Sequence, residues 1–218
     1  MEVAELIARH PTLYHLADAR NWQSIQKVGL LSTRRLIESF GEDEGEVERL
    51  RAAGPVRLPR VGEHPRCGSV FIRDQHQINP RQFAGCLIDM TEAEWRASLN
   101  RRVFLWVDPD RLDRMLRYYR AEEQIVLHVD TASLLEQHAA AVELSPINSG
   151  FVMRRPAMRG SDTFRTIASW DHPKSRKVVE LTVIDAVPGI LEITRVVESH
   201  LAGRPPKTIW SAGLEARS

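Results

Sequence analysis

A chain of 218 residues, 43% hydrophobic and 27% charged, has room for one substantial folded unit at ~150 residues per domain, and its composition excludes a collagenous, mucin-like or wholly disordered polymer. Thirty Lys and Arg against 29 Asp and Glu leave a formal charge of +1, so no global field attracts nucleic acid or anionic lipid, and any such partner has to meet a local patch. Acids and bases run through the first twenty residues and no stretch approaches the ~18 consecutive apolar residues of a membrane span, which predicts a cytoplasmic protein with no membrane partner.

In chain order, Leu13 to Leu16 reads as a short extended piece, followed by a helix from about Ala19 to Val28 that Gly29 can end in a left-handed cap. Ser32 can cap another short helix. Glu38, Glu42, Asp43, Glu44, Glu46 and Glu48 then form an acidic run without a base, expected on a solvated helix face. Residues 54–68, with three prolines and three glycines, read as a long surface loop able to act as a lid. Val70 to Ile72 is expected as a strand, and Thr91 with Glu94 as the capping box of a helix carrying Trp95 and Leu99.

Three apolar runs of strand length follow at 102–108, 124–130 and 177–185. Between the first two, Pro109 suits a first helical turn and Leu112, Met115 and Leu116 share one face. Asp130 or Thr131 can cap a helix to about His138, and a last strand near Ile193 to Val197 precedes a tail from about residue 200. Six or seven strands with short helices concentrated in the first two thirds, and no internal repeat, make one α+β domain over residues 1–218. Cys67 and Cys86 have neither CxxC spacing nor a matching histidine pair, which predicts two free thiols and no metal centre.

The stretch Tyr14 to Leu30, YHLADARNWQSIQKVGL, carries the most chemical information. It sets His15 on a strand before a turn and a helix, where the ring either satisfies buried backbone groups or donates to a ribose hydroxyl in a cleft. Its order of Tyr14-His15, then Asn21, Ser24-Ile25 and Gly29-Leu30 resembles the opening of the ADP-ribosyltransferase superfamily, in particular the DarT-type DNA ADP-ribosyltransferases and the RNA 2'-phosphotransferases. The sequence departs from that pattern at Leu16-Ala17, where those families commonly carry Thr or Gly after the histidine. Ser69 to Arg73 is similar to the second strand of DarT-like proteins, and Arg176 to Val183 with Asp185 to Pro188 resembles their run in which a glutamate interrupts an apolar strand.

The resemblance implies an ADP-ribosyltransferase-like split β-sheet core with short helices around it. It also implies NAD as substrate, with Glu180 and Arg73 catalytic, and His15, Tyr14, Asn21 and Arg73 in contact with NAD. From the residues alone, Glu180 lies between Val179 and Leu181, so alternation turns it to the opposite face, toward either a ligand cleft or solvent. An arginine fork such as that of Arg73 suits pyrophosphate, and Asp74 beside it offers an ordinary ion pair instead.

Cleavage of the nicotinamide N-glycosidic bond builds positive charge on the ribose, which a carboxylate on the 2'-hydroxyl stabilises without a metal. Two basic segments, residues 96–120 and 154–177, suit a DNA or RNA acceptor, with protein as the alternative. The helical spacing of Arg111, Arg114 and Arg117 equally describes a solvated face, and Trp170 is a candidate for stacking on a base. Two rival functions stay open: an RNA 2'-phosphotransferase, and a catalytically inactive module of the same fold that binds a nucleotide or a protein, which the Leu16-Ala17 departure favours. Ser145–Gly150 and Arg159–Phe164 are turn-rich segments that either line the cleft or serve as ordinary loops.

Overall fold

A computed structural model describes residues 1–40, 60–72, 80–152, 156–171 and 177–213. Arg73, the acidic run from Glu42 to Glu48, and the bases Arg154, Arg155, Lys174 and Arg176 lie outside the described residues.

The described residues form an α+β structure built on an eight-stranded antiparallel sheet of order β12-β11-β6-β1-β5-β9-β7-β8. Its strands are β1 (Thr12–Asp18), β5 (Arg102–Trp106), β6 (Gln124–Asp130), β7 (Val142–Ser145), β8 (Arg165–Thr166), β9 (Glu180–Ile184), β11 (Thr194–His200) and β12 (Lys207–Ser211). Two small sheets flank it, β2 (Leu30–Leu31) with β10 (Ala186–Val187), and β3 (Arg60–His64) with β4 (Gly68–Ile72). The α-helices are α1 (Val3–Arg9), α2 (Trp22–Val28), α3 (Thr33–Ser39), α4 (Pro80–Ala84), α5 (Glu92–Asn100), α6 (Pro109–Tyr118) and α7 (Thr131–His138). All of these precede residue 139, as the sequence predicts.

Alternation decides which face each side chain takes. Leu13, Val103, Leu105, Ile125, Leu127, Val129, Leu181 and Val183 enter one core, each at roughly 1.5–3 kcal/mol of apolar transfer when fully covered. The intervening positions Tyr14, Phe104, Trp106, His128, Glu180 and Thr182 take the other face. A second cluster, Phe83, Cys86, Trp95, Leu99, Val152 and Phe164, sits under α5.

The expected helix starts are present. The Ser32 hydroxyl accepts from the Arg35 N–H. Thr91 and Glu94 form a complete capping box, and the Asp108 and Asp130 side chains cap α6 and α7. Asp108 also explains why β5 stops at Trp106, since its carboxylate accepts from the Asp110 N–H and turns the chain into α6.

Several expectations are corrected. Of the loop expected over 54–68, residues 54–59 lie outside the described residues and 60–68 belong instead to a hairpin over 60–72: Pro65 sits in its turn, where the Arg66 N–H donates to His64 Nδ1 at 3.1 Å, and Gly68 takes a φ of 76°. Proline and glycine mark a turn and a loop alike, and cross-strand pairing decides between them. The expected tail contains β12, paired with β11. Strands β7 and β8 were too short to stand out in the sequence. Trp170 is 6% exposed and packs in the main core, so it is no stacking platform. Both cysteines are free, and Cys86 is buried. No helix among the described residues is long and apolar enough to cross a membrane.

One pairing is incomplete. Strand β1 registers with β6 from Thr12↔Asp130 to Asp18↔Gln124, but with β5 at Tyr14↔Trp106 alone. The sheet therefore opens between β1 and β5. Gly29, between α2 and β2, packs against the end of β10: it has a φ of 78°, and a Cβ there would lie 2.4 Å from the Val187 carbonyl oxygen. Gly29→Ala is expected to destabilise the fold by more than ~1 kcal/mol, combining left-handed strain with a backbone clash; chemical denaturation of the purified variant measures it.

Candidate active-site cleft

Where β1 and β5 part, a cleft of about 320 Å³ forms, within the ~300–1,000 Å³ range of small-molecule sites. Strand β1 contributes His15, Leu16 and Ala17, β5 contributes Phe104 and Trp106, and β9 contributes Glu180. The loop Asn148–Phe151, the hairpin residues Val70–Ile72, and Met115, Tyr118 and Tyr119 also line it, together with Asn21, the adjoining face of α2 and the start of α3.

His15 bridges the opening. Its Nδ1 lies 2.9 Å from the Phe104 carbonyl oxygen, and since a carbonyl only accepts, Nδ1 carries the proton. With Nδ1–H held on that carbonyl, Nε2 is the ring nitrogen through which His15 would meet a ligand hydroxyl. The backbone-satisfying role read from the sequence and a place on the cleft wall hold together, because the side chain supplies the bond that the broken β1–β5 ladder leaves out.

Asn21 is occupied by structure. Its Nδ2 donates to the Phe71 carbonyl at 2.9 Å, and its Oδ1 accepts from the Phe71 N–H at 2.8 Å, imitating a neighbouring strand. Arg20 adds to that clip, with its guanidinium 4.0 Å above the Phe71 ring and two bonds to Asp18 at 2.8 and 2.6 Å. These residues hold the hairpin as a wall. Tyr14 does not join the cleft lining: its ring packs edge-on against His128 with centroids 5.1 Å apart. Of the residues expected to meet NAD or do chemistry, the structure brings His15, Asn21 and Glu180 to one cleft.

Glu180 is the most unusual group in it. It stands in a transverse row with Trp106 on one side and Ser145 on the other, and is 3% exposed. Its carboxylate accepts from the Ser149 hydroxyl at 2.7 Å and lies 3.3 and 3.2 Å from the Ser149 N–H, one distance to each oxygen. Burial pushes the Glu180 carboxyl up to about 7, against the opposing pull of the Ser149 bonds and of the Arg111 and Arg159 charges. Glu180 is therefore poised between acid and carboxylate near neutral pH, the condition in which one group both holds a hydroxyl and exchanges a proton.

Two partners escaped sequence reasoning. Ser149 and Arg159 fall in the two segments that read as turn-rich, yet nothing in their spacing singles out Ser149 among neighbouring hydroxyls or buries Arg159. Arg159 is 1% exposed, behind the loop that carries Ser149. Among the described residues no three His, Cys, Asp or Glu side chains are grouped to hold a metal ion.

A family model matches residues 11–194, which include both strands that flank the opening and Glu180. The chain belongs to the family of unknown function DUF7002. A comparison with curated proteins gives no match. For this DUF7002 protein the geometry of the cleft is accordingly the main guide to function, and its buried carboxylate gives a direct test. Because the folded-state value lies above the ordinary 4.5, the Glu180 contribution to stability is fully present below about 4.5 and is lost as pH rises through about 7. Glu180→Gln removes that loss. Between pH 5 and pH 8 the variant is expected to gain about 2–3 kcal/mol relative to the parent, read from urea denaturation at both pH values; parallel pH curves would place the carboxyl at its ordinary value.

Proposed function

We propose that this protein is an NAD-dependent ADP-ribosyltransferase. The observation that carries the reading is the meeting of His15 and Glu180, remote in sequence, at one cleft where an antiparallel sheet opens. That opening supports the split-sheet architecture that the sequence resemblance implies, and NAD is the ligand that the same resemblance implies.

In this reading the Glu180 carboxylate holds the ribose 2'-hydroxyl. The bond from the anomeric carbon to the nicotinamide nitrogen breaks, and its electron pair leaves with nicotinamide. The resulting oxocarbenium-like ribose is stabilised by the nearby negative charge. An acceptor oxygen or nitrogen then bonds to the anomeric carbon and gives up its proton to solvent water. His15, with Nδ1–H held on Phe104, meets a ribose hydroxyl through Nε2. Arg73 is the proposed pyrophosphate contact on sequence resemblance alone.

The acceptor proposed first is DNA or RNA, with protein second. Support comes from α6, where Met115 and Tyr118 face the cleft and Arg111, Arg114 and Arg117 share the helix. A second reading, a nucleotide-binding module without catalysis, is favoured by one observation: the Glu180 oxygens are already engaged by Ser149 and almost hidden from solvent.

The two readings part on turnover. With purified protein and NAD, release of nicotinamide is expected from the parent and reduced by at least ~100-fold in Glu180→Gln, since the amide lacks the charge that the transition state requires; a bound, uncleaved nucleotide supports the binding module. His15→Ala is expected to weaken NAD by ~1–3 kcal/mol in calorimetry. Labelled NAD incubated with single-stranded DNA, RNA or protein identifies the acceptor. A nucleic-acid acceptor requires affinity that falls steeply with salt while NAD affinity falls less, and label appearing only on protein removes it.

A further inference from the structure

The Arg159 guanidinium is buried, and no carboxylate among the described residues pairs with it. Its Nη1 donates to the Ser149 carbonyl at 2.8 Å, its second terminal nitrogen to the Phe151 carbonyl at 3.1 Å, and its Nε to the Ala157 carbonyl at 3.1 Å. A buried cation has to be met by hydrogen-bond acceptors, and here three backbone carbonyls serve. Two of them belong to the loop whose Ser149 N–H and hydroxyl meet Glu180.

The other end of this contact is rigid. Arg159 N–H donates to the Cys86 carbonyl at 2.8 Å, and its own carbonyl accepts from the Ile88 N–H at 3.0 Å. Its guanidinium carbon lies 5.7 Å from the centre of the Trp95 ring, which is 1% exposed and held on α5 behind the Thr91–Glu94 capping box. A continuous series of contacts thus runs from a capped helix through Trp95 and Arg159 to the Ser149 backbone and on to Glu180.

We infer that Arg159 is a positioning residue: its planar fork sets the Asn148–Phe151 loop in the shape that presents Ser149 to Glu180. The assignment rests on the reading above for what the carboxylate does, while the contacts are independent of it. The fork matters because two carbonyls, two residues apart on one loop, have to be held at once. A lysine ammonium keeps the charge but cannot span the same acceptors in one plane.

The test reads Glu180 itself and needs no activity. Carboxyl carbon NMR, with the Glu180 signal assigned by its loss in Glu180→Gln, follows the titration in the parent, Ser149→Ala, Arg159→Lys and the double variant. The charged groups acting on Glu180 are Arg111 and Arg159, and Ser149 bonds it directly, so Arg111→Gln serves as the control for a field effect without the loop. Ser149→Ala is expected to raise the Glu180 midpoint by about one pH unit, the scale of one lost bond to a carboxylate. Arg159→Lys is expected to raise it comparably although the charge is kept, and the double variant to add little more, because both act through one contact.

An unchanged midpoint in folded Arg159→Lys, or fully additive shifts in the double variant, would overturn the inference and leave Arg159 as a distant charge. Should Arg159→Lys not fold, hydrogen exchange in the parent decides. The Ser149 amide and the Arg159 Nε–H are expected to open together with one free energy, and independent opening would overturn the inference. The nicotinamide-release assay is scored separately: a failed glycosyl-transfer reading leaves these titrations as they are, and a failed tether leaves turnover in the parent intact.

Discussion

Burying a carboxylate in the middle of a β-sheet is the constraint around which this site is arranged. Glu180 has lost nearly all contact with water, and an ionised carboxylate so placed is unstable unless donors replace its hydration or a proton neutralises it. The molecule does some of each. Ser149 supplies a hydroxyl and an N–H, Arg111 and Arg159 supply positive charge at a distance, and the remaining penalty raises the carboxyl's proton affinity toward neutrality. Replacing the glutamate by an apolar residue would relieve the sheet, so its burial is a local conflict of the kind that marks sites rather than scaffolds.

The walls around that carboxylate are kept in shape by polar side chains bonded to main chain. Asn21 clips Phe71, His15 joins β1 to Phe104, and Arg159 gathers the carbonyls of Ser149 and Phe151. Each bond supplies a partner that regular secondary structure does not provide at an opening in a sheet. A cleft held in this way is pre-formed, so a ligand does not have to spend binding energy on ordering it. The same economy explains why side chains that resemble ligand contacts in the sequence prove to have backbone partners: a side chain that fixes the wall of a cleft lies at the cleft.

The elements were largely legible. The Ser32 cap, the Thr91–Glu94 box, Pro109 after Asp108, and the alternating runs that became β5, β6 and β9 are local signals, carried by neighbours within a few residues. What escaped was non-local. The hairpin at 60–72 hid behind Pro65 and Gly68, and β7, β8 and β12 are short strands that exist because a longer partner offers them an edge. Trp170, a polar-flanked aromatic in the sequence, lies in the core, where its carbonyl also accepts from the amino group of Met1, 169 residues away in the chain.

For the site the division follows the same physics. The sequence by itself determined that a glutamate would stand on the face opposite Val179 and Leu181, that a histidine would sit on the first strand, and that two turn-rich loops were available, because side-chain direction in a strand follows from its two-residue period. Only the tertiary structure decided that β1 and β5 part beyond the Tyr14–Trp106 pair, that Ser149 is the hydroxyl that reaches Glu180, and that Arg159 is buried behind it. Those outcomes depend on where a sheet fails to pair and on which backbone carbonyls face a buried cation, and both arise from contacts between residues far apart in the chain, where no local pattern records them.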